Sequence, residues 1–477
     1  MAEQSLKNKT VKGVIWSSVE RFSVQGVQFF VMLVIARLLT PSDYGLVGML
    51  AIFLAISQTL IDSGFSQALI RKQNRSATDN NTVFYFNIVI SILLYIFLFI
   101  IAPWVANFYE ESQLVILMRV LCLVVIINSF AVVQRAILTA NINFKVQAKA
   151  SFISALVSGS IALYLAISGY GVWTLVFQQL LSAFANVLLL WWFSTWRPKF
   201  LYSWKSFREL FSFGSKLMAV GLIDTIYNNL YQIIIGKIFS AASLGFYTRA
   251  QHFSDLPSSN ITGILQRVTY PVLCNIQDDD ERLRDNYRKF LRVSAFIVFP
   301  VMCFMAGLAH PMVQLLLGEK WDYAATLLKP ICFVMMWYPI HAINLNLLQV
   351  KGRSDLFLKL EILKKVIIVS ILILSIPFGL LFMCYSRIAT SIICLVINTY
   401  YTGKLIQVGF IRQMKDLSGS LAVSMIVFLS IHFVIVLTDS LYFQLLLGFV
   451  VAITIYIGAV YLFRFKEVYY LKSIIRK

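Results

Sequence analysis

Long apolar segments separated by short polar connections follow one another along the whole 477-residue chain. About 20 consecutive apolar residues in a helix are enough to cross the hydrocarbon core of a bilayer. The chain is therefore predicted to be an all-α, polytopic membrane protein. The approximate bounds of the fourteen predicted spans are 13–39, 43–68, 80–107, 113–138, 147–168, 170–194, 209–236, 243–270, 290–317, 323–349, 358–378, 380–403, 416–437 and 441–463.

Lysine and arginine residues are distributed very unevenly between the two sides that these spans define. Eight loops and chain ends on one side carry twenty-nine of them, whereas the opposite side carries only Arg37, Lys237, Lys320 and Lys329. Cytoplasmic loops of membrane proteins are enriched in Lys and Arg, so both termini are predicted to be cytoplasmic. The alternation holds along the whole chain, and this supports the number of spans.

The composition agrees with a membrane protein, since 59% of the residues are hydrophobic and only 13% are charged. The net charge of +19 is spread over separate loops and forms no basic domain. It therefore indicates topology and attraction to an anionic leaflet, and nucleic acid is not expected as a partner. The six cysteines have neither CxxC nor paired spacing, which argues against a disulfide framework or a zinc site. We expect no metal and no cofactor.

Short stretches in the first half of the chain recur in the same order in the second half. Residues 35–40 match 235–240, 64–67 match 263–266, 117–122 match 327–332, and 169–172 match 377–380. Spans 1–6 and 7–12 are therefore predicted to form two similar lobes. Six is an even number, so both lobes enter the membrane in the same orientation, related by a pseudo-two-fold axis along the membrane normal. Transporters with parallel repeats have this arrangement.

The repeat defines three predicted segments. Residues 1–200 form an N-terminal lobe with helices 1–6, residues 201–405 a C-terminal lobe with helices 7–12, and residues 406–477 two extra helices and a cytoplasmic tail. The loops on the neutral side are too short to hold a catalytic domain. No GxxxxGK[ST] phosphate-binding loop is present, so direct use of ATP is not expected. We therefore expect a protein that is not an enzyme.

Ionisable residues lie within the predicted spans, where they are costly and commonly functional. Helical spacing places several of them on polar faces with other polar side chains, and such faces should line a water-filled cavity. The arginines are Arg21, Arg119, Arg249 and Arg387, and the carboxylates are Glu20, Asp62, Asp224 and Asp255. Their polar neighbours include Ser17, Gln25 and Gln28 in span 1, Gln58 and Ser66 in span 2, Asn228 and Gln232 in span 7, and His252 and Asn260 in span 8.

These patterns predict a binding cavity for an anionic substrate. Arginine has a permanent charge and donors suited to phosphate oxygens. The predicted substrate-binding residues are Arg21, Arg249, Gln25, Gln28, Asn228 and Tyr231. Glu20, Asp62, Asp224 and Asp255 are candidates for a counter-charge or a coupling switch. Arg119, Arg387 and His252 are candidates for the cavity, with structural roles as the alternative.

Three short stretches resemble a known family. They are RLLTPSDYG at 37–45, DSGFSQALIR at 62–71 and GEKW at 318–321. They resemble the polysaccharide-transporter family of the multidrug/oligosaccharidyl-lipid/polysaccharide exporter superfamily. The resemblance implies a Wzx-type flippase with two six-helix lobes around a central cavity. It also implies a bacterial inner-membrane location and a substrate such as an O-antigen unit, an oligosaccharide linked to undecaprenyl pyrophosphate.

The resemblance implies partners as well, namely the lipid-linked oligosaccharide, the bilayer, and candidate glycan polymerase and chain-length proteins. Three alternatives are open. A multidrug exporter of the same superfamily would require an apolar or acidic cavity, in contrast to the arginines here. A membrane glycan polymerase or ligase would require a large outer catalytic loop. A membrane scaffold without transport would leave the charges inside the spans unexplained.

Overall fold

The structure is a computed structural model that describes Trp16 and residues 22–62, 64–72, 74–465, 467–468 and 470. Their regular structure is helical. The first helices are α1 (Phe22–Leu38), α2 (Pro41–Asp62), α3 (Phe65–Arg71), α4 (Ala77–Tyr109), α5 (Leu114–Leu121), α6 (Leu123–Ser129), α7 (Val132–Ala140), α8 (Phe144–Ile167), α9 (Val172–Phe193) and α10 (Trp204–Ile238). The others are α11 (Ala241–Asn275), α12 (Asp280–Gly307), α13 (Ala309–Leu317), α14 (Asp322–Met335), α15 (Tyr338–Val350), α16 (Ser354–Ser375), α17 (Leu380–Ile406), α18 (Phe410–Leu437) and α19 (Leu441–Leu462).

The prediction of an all-α, polytopic membrane protein is confirmed. Among the described residues, ten helical segments are long and apolar enough to cross a membrane. The number rises to eleven if α5–α7, which bend by 43° between Leu114–Ser129 and Val132–Ala140, count as one span. Helices α1, α11 and α16 coincide with three further predicted spans but are shorter or more polar. The count of fourteen therefore stays a prediction.

Large apolar side chains are exposed along the sides of many helices. On α4, for example, Val89, Ile96 and Ile100 are 47–57% exposed. On α19, Phe449 and Val450 are exposed to a similar degree. Apolar surface this extensive is rare on soluble monomers and marks contact with a membrane or a partner. Together with the length of the helices, it supports a lipid-facing outer surface.

Local sequence signals account for several helix ends. Ser76 and Asp79 form a reciprocal capping box at the start of α4, with N···O distances of 3.1 and 2.9 Å. Asp279 caps α12 by accepting a hydrogen bond from the backbone N–H of Arg282. After α13, Gly318 has a φ of 98°, a conformation that favours glycine over residues with a Cβ. These devices satisfy backbone groups that have no partner within the helix.

The chain divides into two compact units, the first ending at Gly245 and the second beginning at Phe246. Within the first unit, α10 packs along α2, α3 and α4. Residues 201–245 therefore pack with the helices of the predicted N-terminal lobe. The lobe boundaries at 200 and 405 stay predictions.

Four glycines allow backbones to touch within the first unit. A Cβ at Gly45 would lie 1.6 Å from the carbonyl oxygen of Ala241, and one at Gly245 would lie 1.9 Å from that of Pro41. Gly64 and Gly214 make a second close approach: a Cβ at Gly64 would lie 2.9 Å from the carbonyl oxygen of Gly214, and one at Gly214 would lie 2.6 Å from that of Gly64. Any larger residue at these positions would push the chains apart.

The second unit contains a buried polar network that joins α12, α15, α17 and α18. The Tyr287 hydroxyl donates to Asn344 Oδ1 at 2.9 Å, and Asn344 Nδ2 donates to Gln413 Oε1 at 3.1 Å. Gln413 Nε2 lies 3.1 Å from Thr402 Oγ1. Buried amides and hydroxyls are stable in such an interior because their partners replace water. The network therefore fixes how these four helices pack.

Candidate functional site

In the first unit, Asp62 lies within a chain of polar side chains contributed by several helices. Gln58, one turn earlier on α2, donates a hydrogen bond to the Asp62 carboxylate. Asn128 on α6 donates to Gln58 Oε1 at 3.1 Å. Arg135 on α7 interacts electrostatically with Asp62 and donates to Asn186 on α9 at 2.9 Å. The carboxylate is thus held by a neighbouring amide and balanced by a cation.

In the second unit, Asp255 has a similar environment. Gln251, one turn earlier on α11, donates to Asp255 Oδ1 at 2.6 Å. Arg387 on α17 donates to Gln251 Oε1 and to the hydroxyl of Tyr247, each at 2.7 Å. The Gln251 amide therefore connects a cation to an anion. The structure brings together Arg387 and Asp255, which were predicted separately.

Among the described residues, each unit thus contains the same arrangement: a glutamine, an aspartate four residues later on the same helix, and an arginine from another helix. An aspartate placed in this way keeps a fixed orientation while its charge is compensated. If the arginine moved away, the carboxylate would be left in a poorly solvated position, where it would attract a proton or another cation. The arrangement can therefore serve as a structural tie or as a switch that responds to charge.

Arg249 and His252 lie three residues apart on α11. Arg249 is half-buried and interacts electrostatically with His252, whose side chain is exposed. Arg119, on α5, has a different environment, since its guanidinium lies 4.2 Å from the centre of the Phe99 ring. A cation over an aromatic face is a common packing arrangement. This contact is compatible with the structural alternative for Arg119, and its role stays a prediction.

The other predicted site residues lie on α1 and α10. Gln25 is half-buried, Gln28 is exposed, and Glu20 and Arg21 lie outside the described residues. On α10, Asp224 and Asn228 are exposed one turn apart, and Tyr231 is half-buried. An exposed carboxylate and amide in an apolar helix have to face water or protein, because lipid offers no hydrogen bonds. Their placement fits a polar cavity, and their roles stay predictions.

Sequence reasoning missed some polar residues inside the helices. Gln251 was not singled out, although its amide connects Arg387 to Asp255. Lys364 is buried on α16 and donates to Glu361 at 2.5 Å. The signal for this pair was present, since opposite charges three residues apart lie in a predicted span. Among the residues that the structure describes, no group of three His, Cys, Asp or Glu side chains is placed to hold a metal ion.

The fold is similar to that of solved transporters. A lipid II flippase MurJ in an inward closed conformation superposes with a TM-score of 0.77, covering 94% of this chain and 98% of that chain at 14% identity. An inward-facing multidrug resistance transporter of the MATE family, from the MOP superfamily, gives a TM-score of 0.63. It covers 83% of this chain and 99% of that chain at 17% identity. At these identities the likeness concerns the fold.

Curated relatives are similar over most of their length. The teichuronic acid biosynthesis protein TuaB of Bacillus subtilis is 24% identical over 74% of this chain and 73% of that protein. The lipopolysaccharide biosynthesis protein WzxC of Escherichia coli is 25% identical over 78% and 76%. The succinoglycan biosynthesis transport protein ExoT of Rhizobium meliloti is 25% identical over 66% and 64%.

The family model described as "Polysaccharide biosynthesis protein" matches residues 34–326, which is more than half of the chain. This region includes α2 to α13, and with them the polar side chains around Asp62 as well as Gln251 and Asp255, whereas Arg387 lies beyond it. The sequence resemblance to polysaccharide transporters is thereby confirmed. This multi-pass membrane chain belongs to the polysaccharide biosynthesis protein family.

Proposed function

We propose that the chain is a flippase that moves a lipid-linked oligosaccharide, a building unit of a bacterial surface polysaccharide, across the cell membrane. The observation that carries the proposal is the family match together with relatives named for teichuronic acid, lipopolysaccharide and succinoglycan biosynthesis. These relatives are named for three different polymers. Moving a glycan assembled on a lipid to the other side of the membrane is a step that the synthesis of different surface polymers can share.

The fold is compatible with this activity, because a solved lipid II flippase shares it. A multidrug transporter shares the fold as well, so the fold alone does not choose between the two functions. The polar residues favour the flippase. A pyrophosphate carries negative charge that cannot cross hydrocarbon unaided, and arginine is well suited to bind it.

We assign the substrate phosphates to Arg249 and Arg21, and the polar glycan to Gln25, Gln28, Asn228 and Tyr231. Support comes from the half-buried position of Arg249 and from the exposed polar side chains of α1 and α10. Asp62, Asp224, Asp255 and Glu20 are assigned to charge compensation or coupling. The lipid tail remains in the bilayer, and the protein makes or breaks no bond.

We propose further that fourteen spans form two lobes of six helices and a C-terminal pair, with both termini in the cytoplasm. Alternating access by the two lobes would expose the cavity first to one side and then to the other. The reciprocal contact of Gly45 with Ala241 and of Gly245 with Pro41 supports the pseudo-symmetry. Each member of that contact lies 200 residues from its counterpart.

The proposal is tested by complementation of surface-polysaccharide export in a strain that lacks the gene. The double variant Arg21→Ala/Arg249→Ala should lose most of the export, because two donors for the phosphate oxygens are removed. Arg249→Lys should retain part of it, since the charge remains while the bidentate donor geometry is lost. Arg282→Ala, which changes an exposed arginine in the first turn of α12, is the matched control and should export normally.

Protein level in the membrane is measured for every variant. Normal export by the double variant at normal protein level would contradict the binding role. A deletion strain that exports polysaccharide normally but becomes sensitive to cationic drugs would contradict the flippase function and favour the multidrug exporter.

A further inference from the structure

A surface cavity of about 730 Å³ lies where α12, α17 and α18 come together in the second unit. The end of α17, the start of α18 and the first turns of α12 form its walls. Its polar lining includes Arg288, Thr399, Tyr400, Arg412, Lys415 and Asp416. None of the residues that line it belongs to the polar clusters around Asp62 and Asp255.

The charges in this cavity do not cancel. Arg288 and Asp416 bind each other through two hydrogen bonds of 2.6 Å, so this pair is neutral as a whole. Arg412 and Lys415, both exposed on the first turns of α18, leave a net positive charge. Lys404 does not line the cavity, but its Nζ lies 4.6 Å from the centre of the ring of Tyr400, which does. The cavity therefore favours an anion.

The backbone reinforces this preference. The first turn of α18 lines the cavity, and the residue before it, Gly409, has no side chain to cap the helix. The free N–H groups of a first helical turn attract negative charge. Gly403 and Gly409 also line the cavity, and neither places a side chain in it.

The cavity also has an apolar side that continues along helices able to span a membrane. Val396 and Ile411 line it, Ile411 is 73% exposed, and both α17 and α18 are long and apolar enough to cross a bilayer. Tyrosine residues such as Tyr400 are typical of the boundary between lipid and water. A soluble anion would use only the basic part, whereas a phospholipid would use both parts.

We propose that this cavity binds an anionic phospholipid of the surrounding membrane. The phosphate group lies between Arg412 and Lys415 near the start of α18, and the first carbons of an acyl chain lie against Val396 and Ile411. The ligand chemistry is a phosphate ester. The proposal requires only that α17 and α18 span the membrane, and it is independent of the transported substrate.

The test uses the full-length protein purified in detergent, with phosphatidylglycerol as the probe. Native mass spectrometry counts bound lipids, and the shift in unfolding temperature with lipid concentration gives an apparent Kd. Arg412→Gln/Lys415→Gln should weaken phosphatidylglycerol binding at least about tenfold more than the control pair Lys149→Gln/Lys359→Gln. Both control lysines are exposed, lie near helix ends and do not line the cavity.

Further measurements distinguish a phospholipid from a soluble phosphate as the ligand. Phosphatidylcholine, which is zwitterionic, should raise the unfolding temperature of the unaltered protein less than phosphatidylglycerol does. Inorganic phosphate at equal concentration should have little effect. The charge-conserving pair Arg412→Lys/Lys415→Arg should restore most of the binding.

Three results would overturn the proposal. Equal weakening by the cavity pair and the control pair would reduce the effect to general surface charge. An equal shift with inorganic phosphate would assign the cavity to a soluble anion. Unfolding temperatures that do not change with phosphatidylglycerol would show that the cavity has no such ligand.

Discussion

At the scale of single residues, arginines inside membrane helices differ mainly in what surrounds their guanidinium. Arg387 donates to Tyr247 and Gln251, and through Gln251 it is connected to Asp255. Arg119 instead packs against the ring of Phe99. Leaving a buried amide or carboxylate without its charged partner costs much more folding free energy than removing the charge from a side chain whose methylene groups still pack. The two arginines should therefore respond differently to the same substitution.

Arg387→Met is expected to destabilise the protein by about 1–3 kcal/mol, because it leaves the Gln251 amide without its cationic donor. Arg119→Met keeps most of the packing and should cost about 0.5–1 kcal/mol. Thermal unfolding of the two variants in the same detergent measures the difference. Arg387→Lys should recover part of the loss, since it still donates a charged hydrogen bond. A larger loss in Arg119→Met than in Arg387→Met would refute this assignment.

At the scale of helices, glycines decide how closely elements approach. The contact of Pro41–Gly45 with Ala241–Gly245 leaves no room for a side chain on either glycine. The break between α2 and α3 at Gly64 meets Gly214 of α10 in the same way. Pro41 and Gly45, which belong to the RLLTPSDYG stretch that resembles the family, therefore have a packing role.

Gly45→Val and Gly245→Val should each destabilise the protein by at least about 1–3 kcal/mol, the usual cost of overpacking, because the new side chain meets a backbone that cannot rotate away. Export should fall as well, since α2 and α11 would be displaced. Gly458→Val on α19 is the control, because a Cβ at this glycine meets no atom within 4 Å. Unfolding temperature and complementation are measured for all three. Equal behaviour of Gly45→Val and Gly458→Val would show that the contact does not matter.

The sequence predicted where helical spans lie better than it predicted the interruptions within a span. Within the described residues, each predicted span overlaps a helix or a run of helices, because apolar length and capping residues such as Ser76 act locally. The division of span 4 into α5, α6 and α7 was not predicted. Nothing comparable to a proline or glycine marks positions 122 and 130–131, and the bend depends on packing.

At the scale of the whole molecule, the orientation in the membrane is the main prediction from charge. Twenty-nine basic residues lie on one predicted side and four on the other. Phe200 and Ser354 are exposed on the basic side, and Glu110 and Lys320 are exposed on the other. These four exposed positions are therefore suited to a labelling experiment that distinguishes the two sides of the membrane.

Single cysteines at 110 and 320 should react in intact cells with a thiol reagent that cannot cross the membrane, whereas those at 200 and 354 should react only after the cells are opened. The background should carry Cys274→Ser, because the other five cysteines are buried. Labelling at 200 in intact cells would place this loop outside and overturn the predicted topology. Equal labelling of all four positions after lysis is the control for accessibility.

The sequence by itself determined the class of protein, the location of its helices and its family. The length of an apolar segment, its composition and a stretch such as RLLTPSDYG can all be read from consecutive residues. In addition, every segment that crosses a bilayer has to satisfy its own backbone hydrogen bonds, and a helix does so. The sequence also predicted Asp255 and Arg387 as charges inside the membrane. Only the tertiary structure decided that Gln251 connects them, that Arg119 packs on Phe99, and that Tyr287, Asn344, Thr402 and Gln413 join four helices. The physical reason is that a polar group buried in a membrane protein needs a partner, and this partner commonly comes from a helix distant in the chain, which no local pattern specifies.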